Sequence, residues 1–237
     1  MALPKLNVPK YKVKLPSDGK TIVNFRPFLV KEEKLLLVAT ETGDQEQLLD
    51  TIKGILKECT DIVDVEKLAT FDIEYLFLQI RTKSVGESVS ATVVCPDDGE
   101  TEVTVSIPLD EIKVVKDKKH KKEIKLSEDM AVTFDYPRLD TFVKLNFGDG
   151  GPSVDTVFTM AASCMVTIAT EEQVYDCNDA TDAEKIEFLD NLNSKQFAQV
   201  QEFFETMPKL SHTVEVVNPK TNVKSEVVLE GLASFFA

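Results

Sequence analysis

Two histidines and four cysteines are the side chains of this sequence that are best suited to chemistry. His120 lies among lysines, where neither a metal ligand nor a general base is expected, and His212 begins a predicted strand beside Ser211. A hydrolytic triad needs a base that a buried acid orients next to a nucleophile, and the chain contains no GxSxG motif. Phosphate-binding patterns of the GxxxxGK and GxGxxG types are also absent. We therefore expect no catalytic residues, no cofactor-binding residues and no enzymatic activity.

The segment Cys95-Pro96-Asp97-Asp98-Gly99 has the outline of a zinc knuckle, in which a CPxCG turn folds around the metal. Asp98 stands where the second cysteine would be, whereas structural zinc needs four ligands, usually thiolates or imidazoles. The other cysteines, Cys59, Cys164 and Cys177, are irregularly spaced and form no CxxC pair. We expect an ordinary hairpin turn, no metal ligands and reduced cysteines, with a metal-stabilised module as the alternative.

The net charge of −14 is spread unevenly along the chain. Counted as Lys+Arg minus Asp+Glu, it is 8−3 over residues 1–40, 5−16 over 41–110, 7−3 over 111–125 and 7−19 over 126–237. An acidic body of this size repels phosphate backbones, so we expect no nucleic-acid partner. The two basic stretches can steer an acidic protein partner or are simply solvated surface. No window approaches ~18 uninterrupted apolar residues, so no membrane span is expected.

Strand and helix patterns occur in separate runs along the chain. Alternating residues predict a hairpin over 11–25 and another around 88–107, with Asp98-Gly99 in its turn. Helical spacing predicts helices over 30–40, from Asp44 to Cys59 and after an N-cap at Asp72. Further strands are predicted around the lysine-rich loop 116–122. Because no βαβ alternation is present, we predict an α+β fold of helices packed with antiparallel β-hairpins, with no Rossmann-type sheet.

The segment Phe147–Pro152 is rich in glycine and is the clearest linker. After it, Ser153 is predicted to cap a helix over Val154–Ile168, and Thr181 and Ser194 are predicted to cap two more helices. A hairpin over 214–229 and a short apolar tail follow. We therefore predict an N-terminal α+β region over 1–147 and a helical region over 153–237, with one continuous domain as the alternative.

Four segments carry a likeness to a known family. They are FRPFLVKEEK at residues 25–34, which is the most specific, FDIEYLFLQIRTKSVGE at 71–87, CPDDG at 95–99 and VVLEGLASFF at 227–236. The chain resembles the baseplate hub assembly proteins of T-even-type myoviruses over essentially its full length. The resemblance implies a late-expressed bacteriophage protein that helps to build the central hub of the tail baseplate by protein–protein interaction.

The resemblance also implies partners and a location. The expected partners are other baseplate hub or tail proteins, or the tape-measure protein if the chain is a tail-assembly chaperone; a homo-oligomer is a further expectation. The expected location is the host cell cytoplasm during virion assembly, with the virion tail baseplate as a second place. A hub-associated cell-wall-degrading enzyme is the alternative of another class. Family members with CxxC-type hairpins would bind zinc there, and this chain departs from that pattern at Asp98.

Two segments are predicted to contact partners. The candidate residues are Arg26, Phe28, Lys31, Glu32 and Glu33 in the FRPFLVKEEK run, together with Phe235 and Phe236. For the first group the alternative is internal: Arg26 pairs with a nearby acid and Phe28 belongs to the core. For the two aromatics the alternatives are docking into the parent fold and insertion into a partner groove.

Overall fold

The computed structural model describes residues 7–42, 44–84, 86–139 and 154–231. Within these ranges every strand pair is antiparallel and helices pack with hairpins, which confirms the predicted α+β fold. The predicted linker at 147–152 and the apolar tail after Gly231 lie outside the described residues. The domain boundary drawn at that linker therefore stays a prediction.

The described elements are as follows in chain order. The helices are α1 (Val30–Thr42), α2 (Gln45–Cys59), α3 (Thr70–Ser84), α4 (Val154–Cys164), α5 (Asp182–Asp190) and α6 (Ser194–Thr206). The strands are β1 (Tyr11–Lys14), β2 (Ile22–Phe25), β3 (Ser88–Val94), β4 (Glu102–Pro108), β5 (Lys113–Val115), β6 (Glu123–Lys125), β7 (Met130–Phe134), β8 (Met165–Thr170), β9 (Val174–Asp176), β10 (Lys209–Val217) and β11 (Lys224–Glu230).

The chain forms two compact units. The first, which we call the split unit, consists of Met1–Val115 and Lys209–Ala237, and the second, the inserted unit, is Lys116–Pro208. The inserted unit begins and ends at neighbouring strands of the split unit, because Val115 pairs with Lys209 in the ladder between β5 and β10. Strand β10 is the middle strand of the sheet β11-β10-β5.

Helix α3 is the core of the split unit. Its residues Ile73, Leu76, Leu78 and Ile80 are completely buried, and burial continues around most of the helix. Each of these side chains stabilises the folded state by ~1.5–3 kcal/mol relative to remaining exposed. The buried set also includes the polar residues Asp72, Glu74 and Thr82, so α3 lies inside the unit on most of its sides.

Two hairpins of the split unit close with the same turn, whose sequences are LPSDGKT at 15–21 and CPDDGET at 95–101. In each turn the aspartate, Asp18 or Asp98, accepts hydrogen bonds from the backbone N–H groups two and three residues later. It also accepts one from the hydroxyl of the threonine three residues later. The following glycines, Gly19 and Gly99, have φ values of 63° and 68°, which only glycine adopts without strain. These hydrogen bonds lower the pKa of Asp18 to about 2. Asp98 therefore closes its turn, at the position where a zinc knuckle would have a cysteine.

The tips of the hairpins β3–β4 and β10–β11 are tied together by Asp97. Its two carboxylate oxygens accept hydrogen bonds from the Nδ2 of Asn218 at 3.0 and 3.1 Å, and one also accepts from the Thr221 hydroxyl. These donors hold the pKa of Asp97 below its usual value. Because Asn218 is 1% exposed and its Oδ1 accepts from the backbone of its own turn, one buried amide organises both tips.

The inserted unit contains the sheet β6-β7-β8-β9 and helices α4, α5 and α6. Val132 and Phe134 from β7 are buried in it, as is Phe203 from α6. The capping box predicted at Thr181 with Glu184 is confirmed. The next helix is capped by Asn193 with Gln196, so the N-cap predicted at Ser194 is wrong by one residue.

Two sequence predictions about helices are wrong. The helix predicted over 154–168 ends at Cys164, and Met165–Thr170 form strand β8, because β-branched residues such as Val166 and Ile168 favour a strand and pair with β7. Asp72 does not cap α3, which already begins at Thr70. Its Oδ1 accepts instead from the backbone N–H of Ser17 at 3.0 Å, and burial raises its pKa.

Candidate partner-binding surface

Arg26, from the most specific sequence run, joins three parts of the split unit. Its backbone N–H donates to the carbonyl of Cys59 at the end of α2, at 2.8 Å. Its guanidinium donates to Oε1 of Glu32 at 2.8 Å and to the carbonyl of Pro27 at 3.1 Å. The hydrogen bond with Glu32 raises the pKa of Arg26. Arg26 therefore fixes the end of β2 against α1 and α2.

Glu32 is 3% exposed, and its carboxylate both pairs with Arg26 and accepts a hydrogen bond at the start of α1. Its Oε2 accepts from the N–H of Leu29, the residue before the helix, at 2.8 Å, and Lys31 Nζ lies 3.2 Å from Oε1. Burial alone would raise the pKa of Glu32, but the hydrogen bonds from Arg26, Leu29 and Lys31 outweigh it and hold the pKa below its usual value. A buried carboxylate of this kind needs its partners, because an unpaired buried charge is strongly destabilising.

The other predicted contact residues differ in how far their side chains are buried. Phe28 is half-buried, its N–H donates to Ser84 Oγ at 2.7 Å, and its ring centroid lies 5.8 Å from that of Phe77. Lys31 is exposed and Glu33 is half-buried. Phe235 and Phe236 lie outside the described residues. The structure thus brings the first five candidates together around the start of α1, where Arg26 and Glu32 also have internal roles.

Helix α1 reverses the usual arrangement of an amphipathic helix, because it buries a charged residue and exposes aliphatic ones. Its buried side holds Glu32 and Ala39, whereas its outer side carries aliphatic residues. These outer residues, which we call the α1 aliphatic face, are Val30, Leu35, Leu37 and Val38, with exposed fractions of 66%, 57%, 63% and 54%. A buried charge combined with clustered exposed aliphatic side chains is the pattern of an interaction surface rather than of an ordinary solvated helix.

The α1 aliphatic face was missed in the sequence, although a signal was present. Leu35, Leu36, Leu37 and Val38 are consecutive, and four consecutive positions at 3.6 residues per turn span most of the circumference of a helix. Some of these side chains must therefore point away from any single core. The run predicts either a helix buried on all sides or an exposed apolar face, and only the packing of α1 distinguishes the two.

Both histidines make contacts with side chains of the fold. His120 is 8% exposed, although it lies in a lysine-rich segment. Its ring stacks on Tyr136 and contacts Phe203, and its Nδ1 lies 3.1 Å from the hydroxyl of Thr206. Burial, followed by the charges of Lys116 and Lys122, lowers the pKa of His120. His212 lies with its Nε2 3.8 Å from Glu111 Oε2, on the sheet of the split unit.

The four cysteines are buried, and none of them forms a disulfide bond. Burial raises the pKa of Cys59 to about 11 and also raises that of Cys95 and of Cys177. Because the thiolate is the form that attacks electrophiles and binds metals, these thiols are poorly suited to either task.

Among the residues that the structure describes, no three His, Cys, Asp or Glu side chains come together as a metal site. Nor does any described helix combine the length and hydrophobicity of a transmembrane segment.

The polar groups buried around Arg26, Glu32 and Asn218 thus serve the fold, and helix α1 carries exposed aliphatic side chains. A family model described as "T4 bacteriophage base plate protein" matches residues 8–237. The chain therefore belongs to this family of phage baseplate proteins, which places it in the virion tail baseplate with other phage tail and baseplate proteins as its partners. Comparison with curated proteins gave no match, and comparison with solved structures gave none either.

Proposed function

We propose that the protein assists assembly of the central hub of the baseplate, without catalysis, by presenting the α1 aliphatic face to another hub or tail protein. The observation that carries this proposal is the inverted helix α1, in which four aliphatic side chains are more than half exposed while Glu32 is buried. Arg26 and Glu32 hold the start of α1 rigidly, so the face is available without a folding step on binding. A preorganised surface loses less conformational entropy when a partner docks.

The chemistry of the face favours a helical or sheet partner with a complementary apolar groove. Lys31 and Lys34 are exposed on the same helix, so acidic residues at the rim of the partner would orient it. Full burial of an aliphatic side chain contributes ~1.5–3 kcal/mol, and a few such residues can dominate the affinity of an interface. We also propose that the protein is expressed late in infection. It would act in the host cytoplasm, before or during its incorporation into the baseplate.

A tail-assembly chaperone for the tape-measure protein is the second candidate, because an apolar helix face can dock on the long helices of such a partner. A hub-associated cell-wall-degrading enzyme is less well supported, since the family model that matches the chain is described as a base plate protein. The identity of the captured partner distinguishes the first two candidates, and an assay on purified cell wall addresses the third.

The test is affinity capture from infected cells followed by mass spectrometry. Wild-type protein is compared with Leu37→Lys/Val38→Lys, which alters the α1 aliphatic face, and with Val63→Lys/Val228→Lys, which alters two exposed valines elsewhere by the same charge. We expect wild type and the control to retain hub proteins, and the face variant to lose them by about tenfold or more. Equal capture by the face variant would refute the role of α1, and capture of the tape-measure protein alone would favour the chaperone.

A further inference from the structure

The sheet of the inserted unit has two open edges, β6 and β9. Among the described residues no strand pairs with the outer side of either one. Both strands are three residues long, and their outward N–H and C=O groups can pair with a strand of another molecule.

The two edges have opposite charge. The segment that contains β6 has exposed lysines at 116, 118, 119, 121, 122 and 125, with two acids between them. The segment that contains β9 has exposed acids at 171, 172, 176, 179, 182, 184, 187 and 190, with Lys185 as its basic residue. The net charges are therefore 6−2 and 1−8, so one edge attracts the other edge of a second molecule.

The edges are also complementary in shape. Strand β9 exposes Val174 and Tyr175, with exposed fractions of 66% and 49%. Beside β6 lies an open cavity of about 410 Å³ whose lining includes the apolar side chains of Ile124 and Phe203, three lysines (Lys119, Lys121 and Lys125) and two acids (Glu123 and Glu202). An aromatic ring that carries a hydroxyl group suits such a cavity, because it has an apolar body and a polar end.

The register of the sheet puts these features on the same face. Ile124 is opposite Val132, Val132 is opposite Ile168, and Ile168 is opposite Tyr175. Side chains opposite each other in neighbouring strands point to the same side of a sheet. If β9 of one molecule were added to β6 of the next as an antiparallel strand, Tyr175 would lie on the Ile124 side, where the cavity is.

We propose that a second copy of this chain docks on the first by adding its β9 to the β6 edge, with Tyr175 in the cavity between Ile124 and Phe203. The contact is head-to-tail: the acidic edge of each copy meets the basic edge of the next. Such contacts close into rings or continue as filaments, depending on the rotation between copies. This contact is separate from the α1 aliphatic face, so it stands or fails independently of the proposed hub function.

The test is sedimentation of the full-length protein over a concentration series, at low salt and at about 0.5 M salt. We expect wild type to self-associate, and more weakly at high salt, where exposed charges are screened. Lys119→Glu/Lys121→Glu, which changes the charge of the basic edge from 6−2 to 4−4, and Glu171→Lys/Glu172→Lys, which changes that of the acidic edge from 1−8 to 3−6, should each weaken association by about tenfold or more. Lys12→Glu/Lys14→Glu, the same charge change on β1, is the matched control and should associate like wild type.

Mixing the two edge variants gives the sharpest result. Each one has an intact edge that fits the intact edge of the other, so the mixture should associate although neither variant does alone. Tyr175→Ser should weaken association without any change of charge, and circular dichroism verifies that every variant remains folded. A wild-type chain that stays monomeric at high concentration and low salt refutes the proposal, as does association that survives both edge variants. Cross-linking of Tyr175 to a different tail protein, without self-association, also overturns it.

Discussion

The ion pair between Arg26 and Glu32 allows a prediction that can be followed quantitatively. In Glu32→Gln the amide oxygen can still accept from the N–H of Leu29, so the start of α1 keeps its cap. The change removes the charge-assisted hydrogen bond from Arg26, which is 2.8 Å long and almost fully buried on the carboxylate side. Such a bond contributes ~1.5–3 kcal/mol. We therefore expect the free energy of unfolding of the split unit to fall by about 2 kcal/mol at pH 7.

The matched control is Glu58→Gln, whose carboxylate lies 3.9 Å from Arg26 but is 67% exposed. An exposed pair at that distance contributes little, so the control should stay within about 0.5 kcal/mol of wild type. Urea unfolding followed by circular dichroism measures both variants, since the chain contains no Trp for fluorescence. Hydrogen exchange of peptides from α1 assigns the loss to the split unit.

The pH dependence adds a second check on Glu32. Because folding lowers its pKa from the ordinary value of 4.5, its contribution is fully present above pH 4.5 and is lost as pH falls through the lower pKa of the folded state. The difference between wild type and Glu32→Gln should therefore be constant from pH 7 to about 5.5 and shrink in stronger acid. A difference below about 0.5 kcal/mol at pH 7, or one that does not shrink in acid, would show that the ion pair does not hold α1 in place.

Three further outcomes are expected. Asn218→Ala should lower the stability of the split unit by ~1–3 kcal/mol in urea unfolding, because it leaves buried hydrogen-bonding groups at the two hairpin tips without partners; a change no larger than that of the exposed control Asn191→Ala would contradict the link. A thiol reagent at pH 8 should leave Cys59 unmodified in the folded chain and label it after denaturation, since burial raises its pKa to about 11; rapid labelling of the native protein would show that the site opens. His120→Phe should make the inserted unit less sensitive to acid between pH 7 and 5, because burial lowers the pKa of His120 below its ordinary value of 6.5. As pH falls below 6.5 the unfolded chain takes up a proton that the folded chain does not yet bind, so stability is lost until pH reaches the lower pKa of the folded state; a pH profile in thermal unfolding like that of wild type would contradict this.

Local signals in the sequence determine much of the fold. Turns with Asp-Gly, the capping box at Thr181 and the helical spacing from Asp44 to Cys59 each depend on neighbouring residues, and the structure confirms them. The strand β8 lies in a segment that the sequence predicts to be helical, because Val154–Ile168 is mostly apolar and periodicity does not separate a buried helix from a buried strand. The pairing of β10 with β5 joins residues far apart in the chain, so no local pattern could predict it.

The candidate surface was predictable only in part. The FRPFLVKEEK run includes the start of α1, but it could not show that Glu32 would be buried while Leu35, Leu37 and Val38 are exposed. That orientation is decided by Arg26, whose partners include the backbone of Cys59, more than thirty positions later in the chain. Likewise, lysines around His120 concealed a buried ring, because its partners Tyr136 and Phe203 are also distant in sequence.

The position of β10 in the middle of its sheet has a consequence for the order of events during translation. The ribosome completes the entire inserted unit before it makes Lys209, and β5 lacks its sheet neighbour β10 until then. The inserted unit can fold while the chain is still attached to the ribosome. The earlier part of the split unit cannot complete its fold before then, so hydrophobic side chains of α3 stay exposed for longer. Nascent chains stalled before residue 209 should therefore be recognised by chaperones of the host, and release of the last strands would be the event that makes the protein competent for assembly.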